Sequence, residues 1–472
     1  MYNNYMDTNL FPAQDLSVVP PIPQPPEPPR LRKAERQQVA MLPICVDELV
    51  PPQHQARTLW ALVEGLDLAG FQEELKARGS EPGRAATDPK ILVALWLWAA
   101  TQGVGSAREL DRLCQEQGAY RWLCGGVSLN YHTLSDFRVG HQAALDQLFT
   151  QVLAILLHEG VVRVRRISQD GTRIRASAGA SSYRRKATLE EQLAAARQQV
   201  EALKRQAEAP VAQEVTARQK AAQTRAARER VARVEQALKL IPELEAIKAR
   251  QGPKKGPAQP ARVSTTDPEA RVMKMGDGGF RPAFNVQLAQ DTESRAIVGV
   301  AVNNSGSDQG ADQLMRQQIA ARQQLAQPTA TAQPTGTAQP TGTPVQEHLV
   351  DGGYAQHAAV EHAAAEGVTL YTPVMQRKTK DGQNPDPYAP RPGDSPAVVA
   401  WRHRMASPAA QEIYKLRAAT SETCNADLKC HRGLLPFRVR GLAKVLAVTL
   451  WSALAYNLLH FGPVVVAALR NG

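Results

Sequence analysis

The sequence predicts an α/β protein: a mixed five-stranded sheet with helices, preceded by an all-α segment and interrupted by a helical hairpin. Three observations support this prediction. Apolar residues recur at helical spacing through residues 46–160. Alternating, β-branched strand patterns begin near residue 161 and resume after residue 263. A long polar helical stretch separates these two regions. Three strand patterns followed by alternating helices and strands are typical of a mixed α/β layer.

Length and charge narrow the possible classes of protein. A chain of 472 residues is too long for one ordinary core, so we expect two or three domains. The formal net charge of +11 and the pI of about 9.5 favour a polyanionic partner, either nucleic acid or an anionic membrane surface. The beginning of the chain lacks the basic and apolar regions of a secretion signal, which favours a cytoplasmic protein.

The N-terminal third divides into a tail and a helical domain. Residues 1–45 are rich in proline and then basic, which predicts a disordered tail. Residues 46–160 predict several short helices separated by loops such as GSEPGR and GVGS. Such a domain suits DNA binding, but any helical bundle would give the same pattern.

An insertion is predicted to interrupt the sheet domain, which covers residues 161–185 and 263–462. Residues 186–262 predict a helical or coiled-coil insertion, interrupted at Pro210 and Pro242. Its apolar positions follow coiled-coil spacing, and charged residues lie between them. A solvated charged surface and a DNA contact are both compatible with this composition. The apolar spacing is set by Val231, Val234, Leu238 and Ile241.

Two further segments of the sheet domain have distinctive compositions. Residues 326–344 contain repeats of AQPTAT and AQPTGT, which predict a low-complexity surface loop. Residues 445–459 are apolar, but this stretch is shorter than a membrane span and contains Asn457. We therefore expect it to form a buried core helix.

Two aspartates are predicted at strand ends, each followed by glycine. Asp170-Gly171 ends the first strand pattern, and Asp351-Gly352-Gly353 ends EHLV. Either a tight turn or a metal ligand explains this arrangement, since Asp-Gly is common in turns and carboxylates are the ligands that Mg²⁺ prefers. The same D-G-G string at Asp277 lies in a polar loop with no predicted strand before it, which predicts a turn.

A downstream segment carries a recognisable motif. Tyr414, Arg417, Glu422 and Lys429 have the spacing Y-x2-R, a gap, then E-x6-K, with four residues between Arg417 and Glu422 where three are commonest. This motif resembles the signature of DDE transposases of bacterial insertion sequences, and its YKLRAAT form resembles the subgroup numbered eleven eighty-two. The resemblance covers roughly residues 45–460 and includes ISQDGTRIRASAG, STTDPEARVMKMGDGGFRPAFNVQLAQD, LVDGGY and RVRGLAKV.

The resemblance implies an RNase H-like catalytic domain in which Asp170, Asp351 and Glu422 form the catalytic and metal-binding triad. Two Mg²⁺ or Mn²⁺ ions would be the cofactors, and Tyr414, Arg417 and Lys429 would contact DNA. Glu412, Asp427 and Asp308 are the nearest rivals for a third ligand.

The activity implied is DNA cleavage at the ends of a mobile element, followed by strand transfer into target DNA. The partners would be double-stranded terminal inverted repeats and target DNA, with a dimer in the synapse and no membrane. The protein would be bacterial, cytoplasmic and associated with the nucleoid. Two alternatives stay open at this stage: an RNase H-like nuclease without strand transfer, and an inactive, transposase-derived DNA-binding protein.

Overall fold

The computed structural model describes residues 45–73, 75, 85–208, 217–250, 260–325, 344–376 and 386–471. The tail predicted at residues 1–45 and the loop predicted at residues 326–344 lie almost entirely outside the described residues. The domain boundaries therefore stay predictions.

Short helices make up the described part of residues 46–160, as the sequence predicts. Several begin at side-chain caps: the Ser106 hydroxyl, for example, accepts a hydrogen bond from the backbone N–H of Glu109 at 3.4 Å. The second helix is buried nearly all round, which makes it the centre of this helical layer. The helices are α1 Gln55–Gly65, α2 Pro89–Thr101, α3 Ala107–Glu116, α4 Gly118–Cys124, α5 Tyr131–Gly140 and α6 Gln142–His158.

The remaining described residues alternate between strands and helices. The strands are β1 Arg166–Arg175, β2 Tyr183–Arg184, β3 Val263–Ser264, β4 Arg271–Lys274, β5 Phe280–Asp291, β6 Ile297–Asn303, β7 Glu347–Leu349 and β8 Thr369–Tyr371. The helices are α7 Lys186–Glu208, α8 Ala217–Arg250, α9 Ala311–Leu325, α10 His357–Ala365, α11 Pro396–Ala406, α12 Pro408–Arg417, α13 Thr423–His431 and α14 Leu442–Asn471.

The main sheet is mixed. β5 pairs antiparallel with β1, and β6 pairs antiparallel with β5. On the other edge of β1, β7 and then β8 are parallel to it. The hairpin predicted from the QDTESR turn is confirmed as β5–β6. This arrangement places β1 at the centre of the sheet, with antiparallel pairing on one side and parallel pairing on the other.

The predicted strand count is wrong by one, because the described part of the sheet contains six strands. The additional strand, β4, pairs with the first half of β5, so β4 and β6 share the same edge. Of its residues Met273 alone is buried, and such a short edge strand has no periodic signal. Asp277 lies in the β4–β5 turn and accepts a hydrogen bond from Gly279 at 3.0 Å. The turn prediction is confirmed, but a strand does precede it.

The predicted helical insertion consists of α7 packed against α8. A separate small core at their contact includes Leu189, Val234 and Ile241. Pro242 lies inside α8 and does not end it, contrary to the prediction. A proline inside a helix removes one backbone hydrogen bond and can kink the helix without ending it. The two-stranded sheet β2–β3, which the sequence did not predict, ties the base of this hairpin together.

The apolar C-terminal segment forms the core helix α14. By length and composition this helix could cross a membrane, but 72% of its most apolar window is buried inside the protein. The polar residue in this segment, Asn457, binds the backbone of Ile297. Its side chain accepts a hydrogen bond from Ile297 N at 2.9 Å and donates one to Ile297 O at 2.8 Å. The helix therefore packs on β6 and satisfies backbone groups of that strand. The buried-helix prediction is confirmed, and the helix extends beyond Pro463.

Candidate functional site

Parallel pairing of β1 with β7 brings the two predicted aspartates to the same level of the sheet. The last paired residues in this ladder are Ser168 and Leu349. Asp170 and Asp351 each lie two residues beyond that pair, so continuing the register would place them side by side. At this level β7 has ended, and the sheet opens between the two chain segments.

Asp170 does not lie at the end of its strand, contrary to the prediction. β1 continues to Arg175 because β5 remains paired along its other edge. Gly171 is itself a paired strand residue, opposite Gln287, and makes no turn there. The sheet opens beside Asp170 because the neighbouring strand β7 ends there. The local sequence of β1 does not indicate where β7 ends.

Asp351 combines the two roles that its sequence left open. β7 ends at Leu349, and the Asp351 carboxylate then accepts a hydrogen bond from the backbone N–H of Gly353 at 2.7 Å. This bond caps the 3₁₀ turn Gly352–Tyr354. One carboxylate oxygen is thereby held by the turn. The side chain is half-buried, so the carboxylate remains accessible at the opening of the sheet.

Helices α12 and α13 cover this opening, and they are joined by a π-helical turn, Ala418–Glu422. Ser421 in that turn is fully buried, shares a hydrogen bond of 2.6 Å with Ser168 and donates to Gln290 at 3.1 Å. These bonds fix the helices to β1 and β5. π-helical turns shift the helical phase and are frequent at functional sites.

Arg417 lies between two of the predicted triad residues. Its guanidinium is 3.8 Å from an Asp170 oxygen and 3.4 Å from a Glu422 oxygen. The Glu422 side chain is 64% exposed, whereas those of Arg417 and Asp170 are 16% and 19% exposed. Arg417 therefore links a buried carboxylate to an exposed one. Its positive charge partly neutralises both of them.

The other predicted DNA-binding residues face the same centre. Tyr414 lies under the Arg417 guanidinium, 5.9 Å from ring centroid to guanidinium carbon. Burial raises the pKa of Tyr414. The positive charge of Arg417 opposes this increase, and the Asp351 and Asp170 charges add to it. Burial lowers the pKa of Lys429, and the Asp170 charge opposes that shift. The structure thus brings Tyr414, Arg417 and Lys429 around the two aspartates.

Asn425 is a site residue that the sequence reasoning missed. Its amide donates to Asp170 at 3.0 Å, from a position one turn beyond Glu422. The Asn425 side-chain oxygen is buried and has no hydrogen-bond partner. The interruption of the helical phase by the π turn explains why regular helical spacing did not point to Asn425.

Of the three rival carboxylates, one joins the site. Glu412 pairs with Lys415 at 2.6 Å on an exposed helix face, and Asp427 pairs with Arg432 at 2.9 Å. Asp308 is buried, and its charge contributes to the raised pKa of Asp170. The carboxylates of this centre are therefore Asp170, Asp351 and Asp308, with Glu422 at its exposed rim.

Burial raises the pKa of Asp170 to about 6. Arg417 opposes this increase, whereas the Asp351 and Asp308 charges add to it. Burial raises the pKa of a carboxylate because it disfavours the charged form, and nearby like charges raise that pKa further. Such pKa shifts are frequent at functional sites.

The pKa shift of Asp170 predicts a pH dependence of stability in metal-free protein. The folded protein retains the proton more tightly than the unfolded chain, whose reference pKa is 3.8. Raising the pH from about 4 to above 6 should therefore lower the free energy of unfolding, by roughly 2–3 kcal/mol. Asp170→Asn should remove this decline and be more stable than the wild type near neutral pH. Urea denaturation with chelator across this range measures the effect. Parallel pH profiles for the two proteins would contradict it.

The donor chemistry of the centre suits a hard divalent cation. Asp170 and Asp351 offer carboxylate oxygens, the ligands that Mg²⁺ prefers. Within the described ranges, however, no group of three or more His, Cys, Asp or Glu side chains is placed so that it could hold a metal ion. Glu422 is directed to Arg417 instead.

Two family models match separate parts of the chain. Residues 44–140 match a model described as "Transposase domain (DUF772)", and residues 394–461 match a model described as "Transposase DDE domain". The first match covers the helices α1–α5, and the second covers the segment with Tyr414, Arg417, Glu422 and Lys429. No curated protein and no solved structure matches the chain.

Both matches are to domains of transposases, and they lie at opposite ends of the described chain. They support a function in DNA transposition and recombination, and DNA as the partner. The subgroup numbered eleven eighty-two stays a prediction. Together, the two matches support a DDE transposase of the insertion-sequence type.

Proposed function

We propose that this chain cuts DNA at the ends of an insertion sequence and transfers the cut strands into target DNA. The observation that carries the proposal is the parallel β1–β7 ladder, beyond which Asp170 and Asp351 lie at one level. The helical segment matched by the DDE model packs over the same place and places Arg417 next to Asp170. Two carboxylates and the Arg417 guanidinium, a group that can bind phosphate, then lie at the same opening of the sheet.

The strand order supports an RNase H-like catalytic domain. On one side of β1 lie β5, which is antiparallel to it, and β6, which is antiparallel to β5. On the other side lie β7 and β8, which are parallel to β1. We propose this domain for residues 161–185 and 263–462. Residues 46–160 would be the DNA-binding-like helical domain, and residues 186–262 a projecting insertion.

Asp170, Asp351 and Glu422 would hold two Mg²⁺ or Mn²⁺ ions. When bound, such ions activate the attacking oxygen and stabilise the leaving oxygen in phosphodiester transfer. Asn425 orients the Asp170 carboxylate through its hydrogen bond. Arg417 presents a guanidinium that can bind a phosphate through two parallel hydrogen bonds, and Lys429 adds a second positive charge.

The proposed partners are the terminal inverted repeats and target DNA. The net charge of +11 favours both contacts, and phosphate binding through Lys and Arg should weaken steeply with salt. Holding two DNA ends in one complex calls for a dimer in the synapse. We propose that the protein acts in the cytoplasm, at the nucleoid.

Cleavage at inverted repeats is the expected result that tests this function. Matching repeats in the DNA flanking the gene supply the substrate. Purified protein with Mg²⁺ should nick a plasmid at the repeat ends, and scrambled repeats should not be cut. Binding to the repeats without any nicking in Mg²⁺ or Mn²⁺ would favour the inactive, DNA-binding alternative.

A further inference from the structure

Asp308 lies three residues before the start of α9, and other side chains contact both oxygens of its carboxylate. The side chain is 10% exposed. One carboxylate oxygen accepts hydrogen bonds from the amides of Asn285 and Gln287, both at 2.7 Å. These two residues project from β5 next to β1. Asp308 is therefore fixed to the central strands rather than being a mobile surface acid.

The Asp308 carboxylate lies against both Asp-Gly segments of the candidate site. A Cβ atom at Gly171 would lie well within 3.0 Å of one Asp308 oxygen, a separation that real Cβ atoms essentially never show. A Cβ atom at Gly353 would lie 3.4 Å from the other oxygen. One carboxylate thus occupies the space that the missing side chains leave beside Asp170 and Asp351.

Packing alone does not account for the charge of Asp308. Its two amide donors are neutral, and the nearest cation that faces it is Arg173, 3.6 Å away and one-third exposed. Asp170 and Asp351 add like charges nearby. Two hydrogen bonds and one ion pair therefore hold the Asp308 carboxylate. An asparagine of the same shape could accept the same two hydrogen bonds, so these bonds do not by themselves require a negative charge at this position.

We infer that Asp308 is a positioning residue of the candidate centre, which holds both Asp-Gly segments in place and strengthens divalent-cation binding through its negative charge. This inference rests on the proposed function. It concerns the affinity of the centre for a cation and requires no direct coordination by Asp308. Two unit charges separated by several ångströms in a half-buried site still attract or repel each other measurably, so the Asp308 charge can act without direct coordination.

Asp308→Asn tests the role of the charge with little change in shape. We expect Mn²⁺, measured by isothermal titration calorimetry without DNA, to bind about tenfold more weakly to the variant than to the wild type. Asp277→Asn is the matched control, because it removes one carboxylate from the exposed D-G-G turn and should bind Mn²⁺ like the wild type. Thermal denaturation of each variant with chelator verifies folding. Asp308→Glu provides a second variant that retains the charge, and it should bind Mn²⁺ more tightly than Asp308→Asn.

The possible outcomes separate this inference from the proposed function. Wild-type Mn²⁺ affinity in folded Asp308→Asn would overturn the positioning role, even if the wild type cuts DNA. Weakened binding in Asp308→Asn supports the role, even if the wild type never cuts DNA, and then the proposed function alone fails. If Asp308→Asn does not fold, Asp308→Glu decides the question. A folded Asp308→Glu that binds Mn²⁺ no better than the double variant Asp277→Asn/Asp351→Asn, which lacks the Asp351 carboxylate, would also overturn the positioning role.

Discussion

Replacing Asp351 with asparagine is expected to abolish DNA cleavage while DNA binding persists. The side chain keeps its size, and its amide oxygen can still accept the Gly353 hydrogen bond that caps the 3₁₀ turn. The negative charge beyond the β1–β7 ladder is lost. We expect cleavage to fall on the order of 10³-fold, the scale of losing a principal electrostatic contribution to a transition state. A plasmid nicking assay and a gel-shift assay measure the two properties.

The control for this variant is again Asp277→Asn. Asp277 begins the same D-G-G string, but it is exposed and pairs with Arg281 at 2.7 Å in the β4–β5 turn. It should cut DNA like the wild type. If Asp351→Asn cuts as fast as Asp277→Asn while both bind DNA, Asp351 does not belong to a catalytic triad.

Replacing Gly171 with alanine should be nearly as damaging, although it adds only a methyl group. The methyl carbon would overlap with an Asp308 oxygen and the Gln287 amide, and it would lie 3.0 Å from the Asn285 side-chain oxygen. All three neighbours are buried, and the Asn285 and Gln287 amides both donate hydrogen bonds to Asp308, so none can withdraw easily. We expect the free energy of unfolding to fall by about 2–3 kcal/mol. Displacing Asp170 should also cost on the order of 10²-fold in cleavage.

Gly276→Ala is the matched control for that prediction. A Cβ atom at Gly276 would meet no atom within 4 Å, and the backbone there has ordinary dihedral angles. Its stability and cleavage rate should equal those of the wild type. A Gly171→Ala protein as stable as Gly276→Ala would show that the contacts of Asp308 around Gly171 are not tight.

The local sequence predicted much of the fold because long elements leave long patterns. The helices of the N-terminal third, the β5–β6 hairpin and the buried helix α14 all follow from periodicity or turn chemistry. β4 and the β2–β3 pair were missed because they are two to four residues long and show no periodic apolar pattern. Such strands exist because neighbouring backbone pairs with them, and a single sequence does not show its partner.

In the candidate site, too, local patterns indicated some residues, and contacts between distant segments determined the rest. Strand and glycine patterns pointed to Asp170 and Asp351, and their adjacency depends on the register of β1 with β7, which are distant in sequence. Asn425 was missed because the π turn shifts the phase of the helix. Asp308 was noticed as an acid, but its contact with Gly171 depends on how α9 packs on the sheet. The sequence therefore indicated the residue types, and the non-local pairing determined which of them meet.

Joining of pre-cut DNA ends distinguishes a transposase from a nuclease most directly. Duplexes that end in the terminal repeat with a free 3′-hydroxyl are incubated with the protein, a target plasmid and Mg²⁺. We expect covalently joined products that are lost on chelation of Mg²⁺ and absent with Asp351→Asn. Cleavage of uncut ends by the same preparation, with no joined product from pre-cut ends, would instead identify a nuclease without strand transfer.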